Sequence, residues 1–169
     1  MFGNLCAVAG FRQPTDSLVI ESRLKAASRA QPWPVFPITP GAQTYPFAYD
    51  DAEAADLGRL RAPTPDPDVA RWTHGFVAGP RTDTLSLLKD LNAGVLSAAA
   101  YRVRDEEGVQ SAGETLRLAS GSCRDLAALF IEAVRQLGLG ARAVSGYMFD
   151  PDQVGRQADT THAWAEVYL

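Results

Sequence analysis

Residues 121–137, with the sequence G-S-C-R-D-L-A-A-L-F-I-E-A-V-R-Q-L, decide how this chain folds and where its chemistry lies. Ser122 is a suitable N-cap, and Asp125 three residues later completes the pattern of a capping box. Apolar side chains then recur at helical spacing to the end of the stretch, and Gly138 follows as a C-terminal stop. The stretch therefore predicts one helix. Its predicted apolar stripe consists of Leu126, Ala127, Phe130, Val134 and Leu137.

This helix would place Cys123 in its first turn. The thiolate is the nucleophilic form of cysteine, and the unpaired N–H groups and positive dipole end of a helix N-terminus favour an anion. The same N–H groups can hold the oxyanion that forms when a thiolate attacks a carbonyl, so the backbone of Cys123 is a candidate oxyanion donor. The alternative to a nucleophile is a buried structural cysteine. Such a residue needs neither a preceding Gly-Ser pair nor a place in the first helical turn. The sequence therefore indicates a cysteine enzyme that carries out acyl chemistry.

A thiol enzyme of this kind needs a base, and the chain contains two histidines. His74 lies in W-T-H-G-F near a predicted helix end, where a cation has a structural explanation. His162 lies in T-H-A-W-A-E-V-Y-L, whose alternation predicts a strand with the histidine on its less apolar face. A histidine held for structural reasons is the alternative. His162 is the better candidate for the general base and acid.

The remaining sequence predicts a change from strand to helix along the chain. Residues 17–26 alternate apolar and charged side chains like a half-buried strand, with residues 5–11 as hairpin partner. A proline-rich connector follows. Helices are then predicted from a cap at Asp50 through Leu57, from a cap at Asp66 through Phe76, from a cap at Asp83 over Thr84–Tyr101, and as a short turn at Glu114–Ala119. A strand is predicted over Ala141–Phe149, a polar loop over Asp150–Asp159 and a final strand over Thr161–Leu169.

Composition narrows the function classes. The 169 residues are 46% hydrophobic and 21% charged, which is typical of a globular protein with a real core. The net charge of -4 argues against nucleic acid as the main partner, and no apolar run approaches the length of a membrane span. Cys6 and Cys123 lie far apart, and neither forms a close ligand pair with the histidines, so neither a disulfide framework nor a metal site is predicted. We expect a cytoplasmic protein.

Three motifs occur in order: G-S-C-R-D-L-A-A-L-F-I-E-A-V-R-Q-L-G, A-R-A-V-S-G-Y and T-H-A-W-A-E-V-Y-L. Together they resemble the bacterial transglutaminase-like superfamily, which includes transglutaminase-like cysteine peptidases, over roughly residues 40–169. The resemblance implies an α+β, papain-like fold in which helices pack on an antiparallel sheet and the cysteine lies at a helix N-terminus. It implies that Cys123 is the nucleophile and His162 the general base and acid, with no metal or organic cofactor.

The resemblance also implies a domain organisation. Residues 1–30 are expected to be the remnant of a preceding β-rich domain, residues 31–46 a connector and residues 47–169 the core. The family's third catalytic residue is an aspartate on the strand after the histidine strand. We therefore expect it beyond Leu169, in a longer chain of which this sequence is a fragment, and we expect the fragment itself to be a poor enzyme. Strands without a partner sheet predict self-association through the N-terminal segment.

Two further residues have weaker assignments. Gln110 is a candidate second oxyanion donor, or an ordinary surface residue of a polar loop. Trp164 is a candidate wall of the acyl channel, or packs beside Tyr147. The predicted function is acyl transfer or hydrolysis on protein or peptide amides through an acyl-thioester. The alternative is a catalytically inactive protein-interaction module with the same fold.

Overall fold

The protein is described by a computed structural model over residues 8–21, 38–147 and 161–169, and the chain divides into two compact units, residues 1–36 and 37–169. In the first unit, residues 8–21 form neither helix nor strand. The strand predicted over residues 17–26 is therefore absent from residues 17–21, and residues 22–26 lie outside the described ranges. A two-stranded hairpin without a sheet to pack against is marginal in water, and the apolar side chains here remain exposed.

The second unit combines helices with short strands. Its α-helices are α1 (Asp51–Leu57), α2 (Pro67–His74), α3 (Thr84–Ala98), α4 (Ala112–Leu118) and α5 (Cys123–Gln136), with short 3₁₀ helices at Pro40–Ala42 and Gly58–Arg61. Its strands are β1 (Thr44–Tyr45), β2 (Thr82–Asp83), β3 (Ala100–Tyr101), β4 (Ser120–Gly121), β5 (Ala141–Tyr147) and β6 (Thr161–Val167). β1 pairs antiparallel with β2, β3 pairs parallel with β4, and β5 pairs antiparallel with β6. β1 lies within the stretch that the sequence assigns to the connector.

Local capping fixes where the helices begin. Asp50 forms a capping box with Glu53, and the carboxylates of Asp66 and Asp83 accept first-turn N–H groups of α2 and α3. These three predicted starts are confirmed. The predicted ends of both α2 and α3 are too late: α2 ends at His74, with Gly75 as its C-cap, and α3 ends at Ala98, because the residues after it leave the helix to pair with β4.

The start of α4 also differs from the prediction, because Ser111 caps the helix. Ser111 accepts the N–H of Glu114 at 3.2 Å, so α4 begins at Ala112 rather than at Glu114. The S-A-G-E sequence carries this signal, since serine three residues before glutamate is the pattern of a capping box.

Helix α5 runs through the centre of the second unit, with α2, α3 and α4 packed around it together with β5 and β6. The predicted stripe is therefore only partly correct, because a helix covered on several sides has no single apolar face. Leu126 and Phe130 are only partly buried, whereas three apolar residues outside the predicted stripe are buried, namely Leu129, Ile131 and Ala133. The core clusters that α5 joins contain Leu87 and Leu91 on one side and Val69, Val95 and Ala112 on the other.

The β5–β6 hairpin closes the other side of α5. Its register runs from Ala141 opposite Val167 to Tyr147 opposite Thr161. The Tyr49 hydroxyl donates to the Tyr168 carbonyl at 2.7 Å and accepts the Gly140 N–H at 2.9 Å, which ties the hairpin base to the segment before α1. The predicted polar loop over residues 150–159 lies outside the described residues. Within the described ranges, no helix is long and apolar enough to cross a membrane.

Candidate active site

One cavity of about 510 Å³ brings the candidate nucleophile and base together. Cys123 reaches it from α5, while His162 and Trp164 reach it from β6. The opposite wall comes from α3 and the strand that follows it. The remaining lining residues are Asn92, Val95, Leu96, Tyr101, Leu126, Ala127, Phe130, Ala163, Ala165 and Val167. Two residues separated by 39 positions in sequence therefore share one cavity.

Cys123 is the first residue of α5 and is partly buried. The predicted Ser122–Asp125 capping pair fixes this position. The Ser122 N–H donates to Asp125 Oδ2 at 2.8 Å, and the Ser122 hydroxyl donates to the same oxygen at 2.7 Å. The Asp125 N–H in turn donates to the Ser122 carbonyl at 3.0 Å. The Cys123 N–H has no acceptor among the described residues, so it is available to a ligand oxygen.

Asp125 is fully buried and acts as more than a helix cap. Arg104 Nε donates to its Oδ2 at 2.9 Å, and the Gln110 N–H donates to its Oδ1 at 2.9 Å. Burial alone would raise the pKa of Asp125. The hydrogen bonds from Arg104, Gln110 and Ser122 outweigh that effect and lower the pKa to about 2. The carboxylate therefore stays charged and holds the loop between β3 and α4 against the first turn of α5.

Gly121 is needed for this arrangement. A Cβ at this position would lie 2.8 Å from Asp125 Cβ and 3.3 Å from Gln110 Oε1, so a larger residue would push the capping carboxylate aside. The glycine immediately before the Ser-Cys pair thus has a packing explanation.

His162 lies opposite Gly146 in the β5–β6 register. Its ring stacks near that of Trp164, with centroids 6.5 Å apart and planes 27° from parallel. Among the described residues, no hydrogen bond joins the imidazole to the Cys123 thiol or to a carboxylate, so the aspartate expected beyond Leu169 stays a prediction. Catalytic hydrogen bonds are often long in a ligand-free site. His74 is exposed at the end of α2 and does not line the cavity.

The structure places Gln110 elsewhere. It lines a second cleft of about 570 Å³ together with Arg124 and Glu132, and it does not line the Cys123 cavity. Its backbone N–H is engaged with Asp125, and its Oε1 accepts the Thr115 hydroxyl at 3.2 Å. These contacts give Gln110 a structural role, and its assignment as an oxyanion donor stays a prediction without support from this geometry.

Sequence reasoning missed Arg104 and the α3 wall of the cavity. Arg104 lies within the sequence R-V-R-D-E-E, which shows no recognisable motif. A buried capping carboxylate requires a cation, and this requirement is the only signal that could have indicated the role of Arg104. Leu96, on the α3 wall, is exposed at the cavity rim. Within the described ranges, no group of three or more His, Cys, Asp or Glu side chains could hold a metal ion.

Comparison with known proteins identifies the family. The model of the transglutaminase-like superfamily core domain matches residues 70–169, which include both Cys123 and His162. The chain belongs to the transglutaminase-like superfamily. The match includes α3, α5 and the β5–β6 hairpin, so the whole cavity described above lies within the transglutaminase-like core.

Relatives and a solved structure extend this comparison. Uncharacterized proteins of Mycobacterium tuberculosis and Mycobacterium bovis are each 32% identical over 93 residues, which is 53% of this chain. The chain spans 30% of the length of these relatives. A crystal structure from Cytophaga hutchinsonii, described as a "Putative Cysteine Protease", has a TM-score of 0.52 and 23% identity, and the similarity covers 67% of this chain and 38% of the other. That likeness shows the fold, which is the expected α+β, papain-like one.

Proposed function

We propose that Cys123 and His162 are the nucleophile and the general base and acid of an enzyme that transfers or hydrolyses acyl groups through a thioester. The observation that carries this proposal is the shared cavity, which a helix N-terminus enters from one side and β6 from the other. Membership of the transglutaminase-like superfamily supports the same class of chemistry. Both side chains lie on helix or strand rather than on loops, which favours a fixed geometry.

The reaction divides into two acyl transfers. The Cys123 thiolate attacks the amide carbonyl carbon, a C–S bond forms, and the carbonyl oxygen becomes an oxyanion that the Cys123 N–H can bind. When the tetrahedral intermediate collapses, the C–N bond breaks and His162 gives its proton to the departing amine. Water or a second amine then attacks the thioester while His162 accepts its proton, which frees the thiolate.

The second nucleophile decides the product. Water gives a carboxylic acid, as in a peptidase or amidase, and an amine gives a new amide, as in a transglutaminase. We propose a protein or peptide amide as the substrate, in the cytoplasm. No step in this scheme requires a metal or an organic cofactor.

Hydroxylamine trapping tests the thioester directly, because it is independent of the second natural nucleophile. The chain is incubated with a panel of N-acyl peptide amides and hydroxylamine, and hydroxamate is measured. We expect product from the unmodified chain, none from Cys123→Ala, and a loss on the order of 10²-fold or more for His162→Gln. Cys6→Ser and His74→Gln are the matched controls and should retain the rate.

Two results would contradict the proposal. Hydroxamate formation that Cys123→Ala leaves unchanged would show that another group is responsible. No thiol-dependent product over the whole panel, together with an unchanged partner-protein interaction in Cys123→Ala, would favour the interaction module instead.

A further inference from the structure

The described part of the wall of the cavity beside Cys123 contains no side chain with a permanent charge. The chain is 21% charged, so thirteen lining residues of average composition would include several acidic or basic side chains. Within the described residues, the lining contains no Asp, Glu, Lys or Arg. Its polar side chains are those of Asn92, Tyr101, Cys123 and His162, with the Trp164 indole.

The second cleft provides an internal comparison. It is of similar volume, about 570 Å³, but Asp66, Arg124, Glu132 and Arg135 all line it. Glu132 is buried, and its carboxylate accepts the Thr64 N–H at 2.5 Å. Among the described residues, Asp, Glu, Lys and Arg side chains are therefore distributed unevenly between the two concave surfaces, and the surface that holds the candidate nucleophile has none of them.

The rim of the Cys123 cavity is also unusually apolar for an exposed surface. Leu96 is 66% exposed, Tyr101 63% and Trp164 40%. A cluster of large exposed apolar side chains around a cavity is typical of a site that buries an apolar ligand group. Asn92, one helical turn before Leu96 on α3, is the polar side chain on this wall that can hydrogen-bond a ligand amide.

We infer that this cavity selects a substrate with an uncharged, apolar or aromatic side chain next to the amide that Cys123 attacks. This inference rests on the proposed function and adds the substrate class. Moving a charged side chain from water into such walls would cost free energy without a compensating ion pair. An aromatic or aliphatic side chain would instead gain from contact with Leu96, Tyr101 and Trp164.

Matched covalent probes test this selectivity without requiring turnover. The chloromethyl ketones of N-acetyl-phenylalanine, N-acetyl-lysine and N-acetyl-aspartate share one reactive group. In each, the thiolate forms a C–S bond and chloride leaves. Alkylation of Cys123 is followed by mass spectrometry in a Cys6→Ser background, and each rate is divided by that of the same probe with glutathione. We expect the phenylalanine probe to react at least about tenfold faster than the other two after this correction.

A charge placed at the rim should change the selectivity. Leu96→Asp adds a carboxylate at an exposed cavity residue, so the lysine-to-phenylalanine rate ratio should rise several-fold. Leu118→Asp is the matched control, since Leu118 is 50% exposed on α4 and does not line the cavity, and it should leave the ratio unchanged. Circular dichroism melting confirms that both variants fold.

The outcomes separate this inference from the proposed function. Equal corrected rates for the three probes, or equal effects of the two leucine variants, would overturn the inference about the substrate. An ordered set of probe rates together with no hydroxamate from any amide would overturn the proposed function but support the selectivity of the cavity.

Discussion

The carboxylate of Asp125 connects three parts of the chain that lie apart in sequence. It accepts hydrogen bonds from Ser122 in its own cap, from Gln110 before α4 and from the Arg104 side chain after β3. Arg124 forms a second contact between α5 and the segment after β3, since its Nη2 donates to the Arg104 carbonyl at 3.3 Å. The position of Cys123 therefore depends on a buried ion pair that does not itself enter the cavity.

We expect Asp125→Asn to destabilise the fold by about 3 kcal/mol, because it leaves the Arg104 guanidinium with a neutral partner in a buried position. The free energy of unfolding from urea titration at pH 7 measures this cost. Asp68→Asn is the control, since Asp68 pairs with Arg71 at the surface and the pair is largely exposed, so its midpoint should not move. Equal midpoints for both variants would contradict the role assigned to Asp125.

The same carboxylate predicts the acid sensitivity of the protein. The pKa of Asp125 is lowered from its ordinary value of 3.8 to about 2, so the unfolded state binds more protons in this range. Its contribution to the free energy of unfolding, about 2 kcal/mol, is fully present above about pH 5 and is lost as the pH falls towards 2. Urea titrations between pH 5 and pH 2 should therefore show a steeper loss of stability for the unmodified chain than for Asp125→Asn. If the free energies of unfolding of the two proteins fell in parallel over this pH range, Asp125 would not make this contribution to stability.

One side of helix α5 packs in the core and another side lines the cavity. A substitution on each side separates their contributions to stability and to the reaction of Cys123. Leu129 is completely buried against Val69, Val95 and Ala112, so Leu129→Ala should cost about 2–5 kcal/mol. Leu126 is partly buried and lines the cavity, so Leu126→Ala should cost less and should slow alkylation of Cys123 by the phenylalanine probe. Urea titration and the probe rate measure the two effects. The reverse order of stabilities would contradict this division.

In the β5–β6 hairpin, Gly146 leaves room for the Trp164 ring. A Cβ at Gly146 would lie 2.7 Å from Trp164 Cη2, so Gly146→Ala must displace the exposed indole. We expect the fold to survive while the tryptophan emission shifts and the phenylalanine probe reacts more slowly. Ser145→Ala is the control, because Ser145 pairs with Ala163 and is exposed. Identical spectra and rates for both variants would show that the indole does not need this space.

Much of the architecture could be predicted from local signals. The caps at Asp50, Asp66 and Asp83 fix helix starts through contacts within three residues, and alternation predicts β6. The partners of Asp125 could not be predicted, because Arg104 and Gln110 reach it across 21 and 15 residues of chain. The exposure of a leucine depends on which elements pack against its helix, and periodicity alone does not contain that information.

The two units of the chain differ in the burial of their large apolar side chains. In residues 8–21, five large apolar residues are exposed, namely Val8, Phe11, Leu18, Val19 and Ile20. Such a segment supports the expectation of self-association through the N-terminus. We expect the double variant Val19→Glu, Ile20→Glu to shift the sedimentation coefficient towards that of the monomer, while Leu118→Glu leaves it unchanged. A concentration-independent monomer for the unmodified chain would refute this expectation.

The short β3–β4 ladder has a mechanical consequence for the cavity. The Ala100 N–H donates to the Ala119 carbonyl at 2.9 Å, and the Arg102 N–H donates to the Gly121 carbonyl at 2.8 Å. This ladder clamps the end of α3, which carries one wall, to the backbone two residues before the thiol. We therefore expect those two walls to move together, and any widening to admit a bulky substrate to come from the β6 side. Amide exchange should therefore be slow at Ala100 and Arg102 and should stay slow when the cavity is filled, while protection along β6 changes with the occupant.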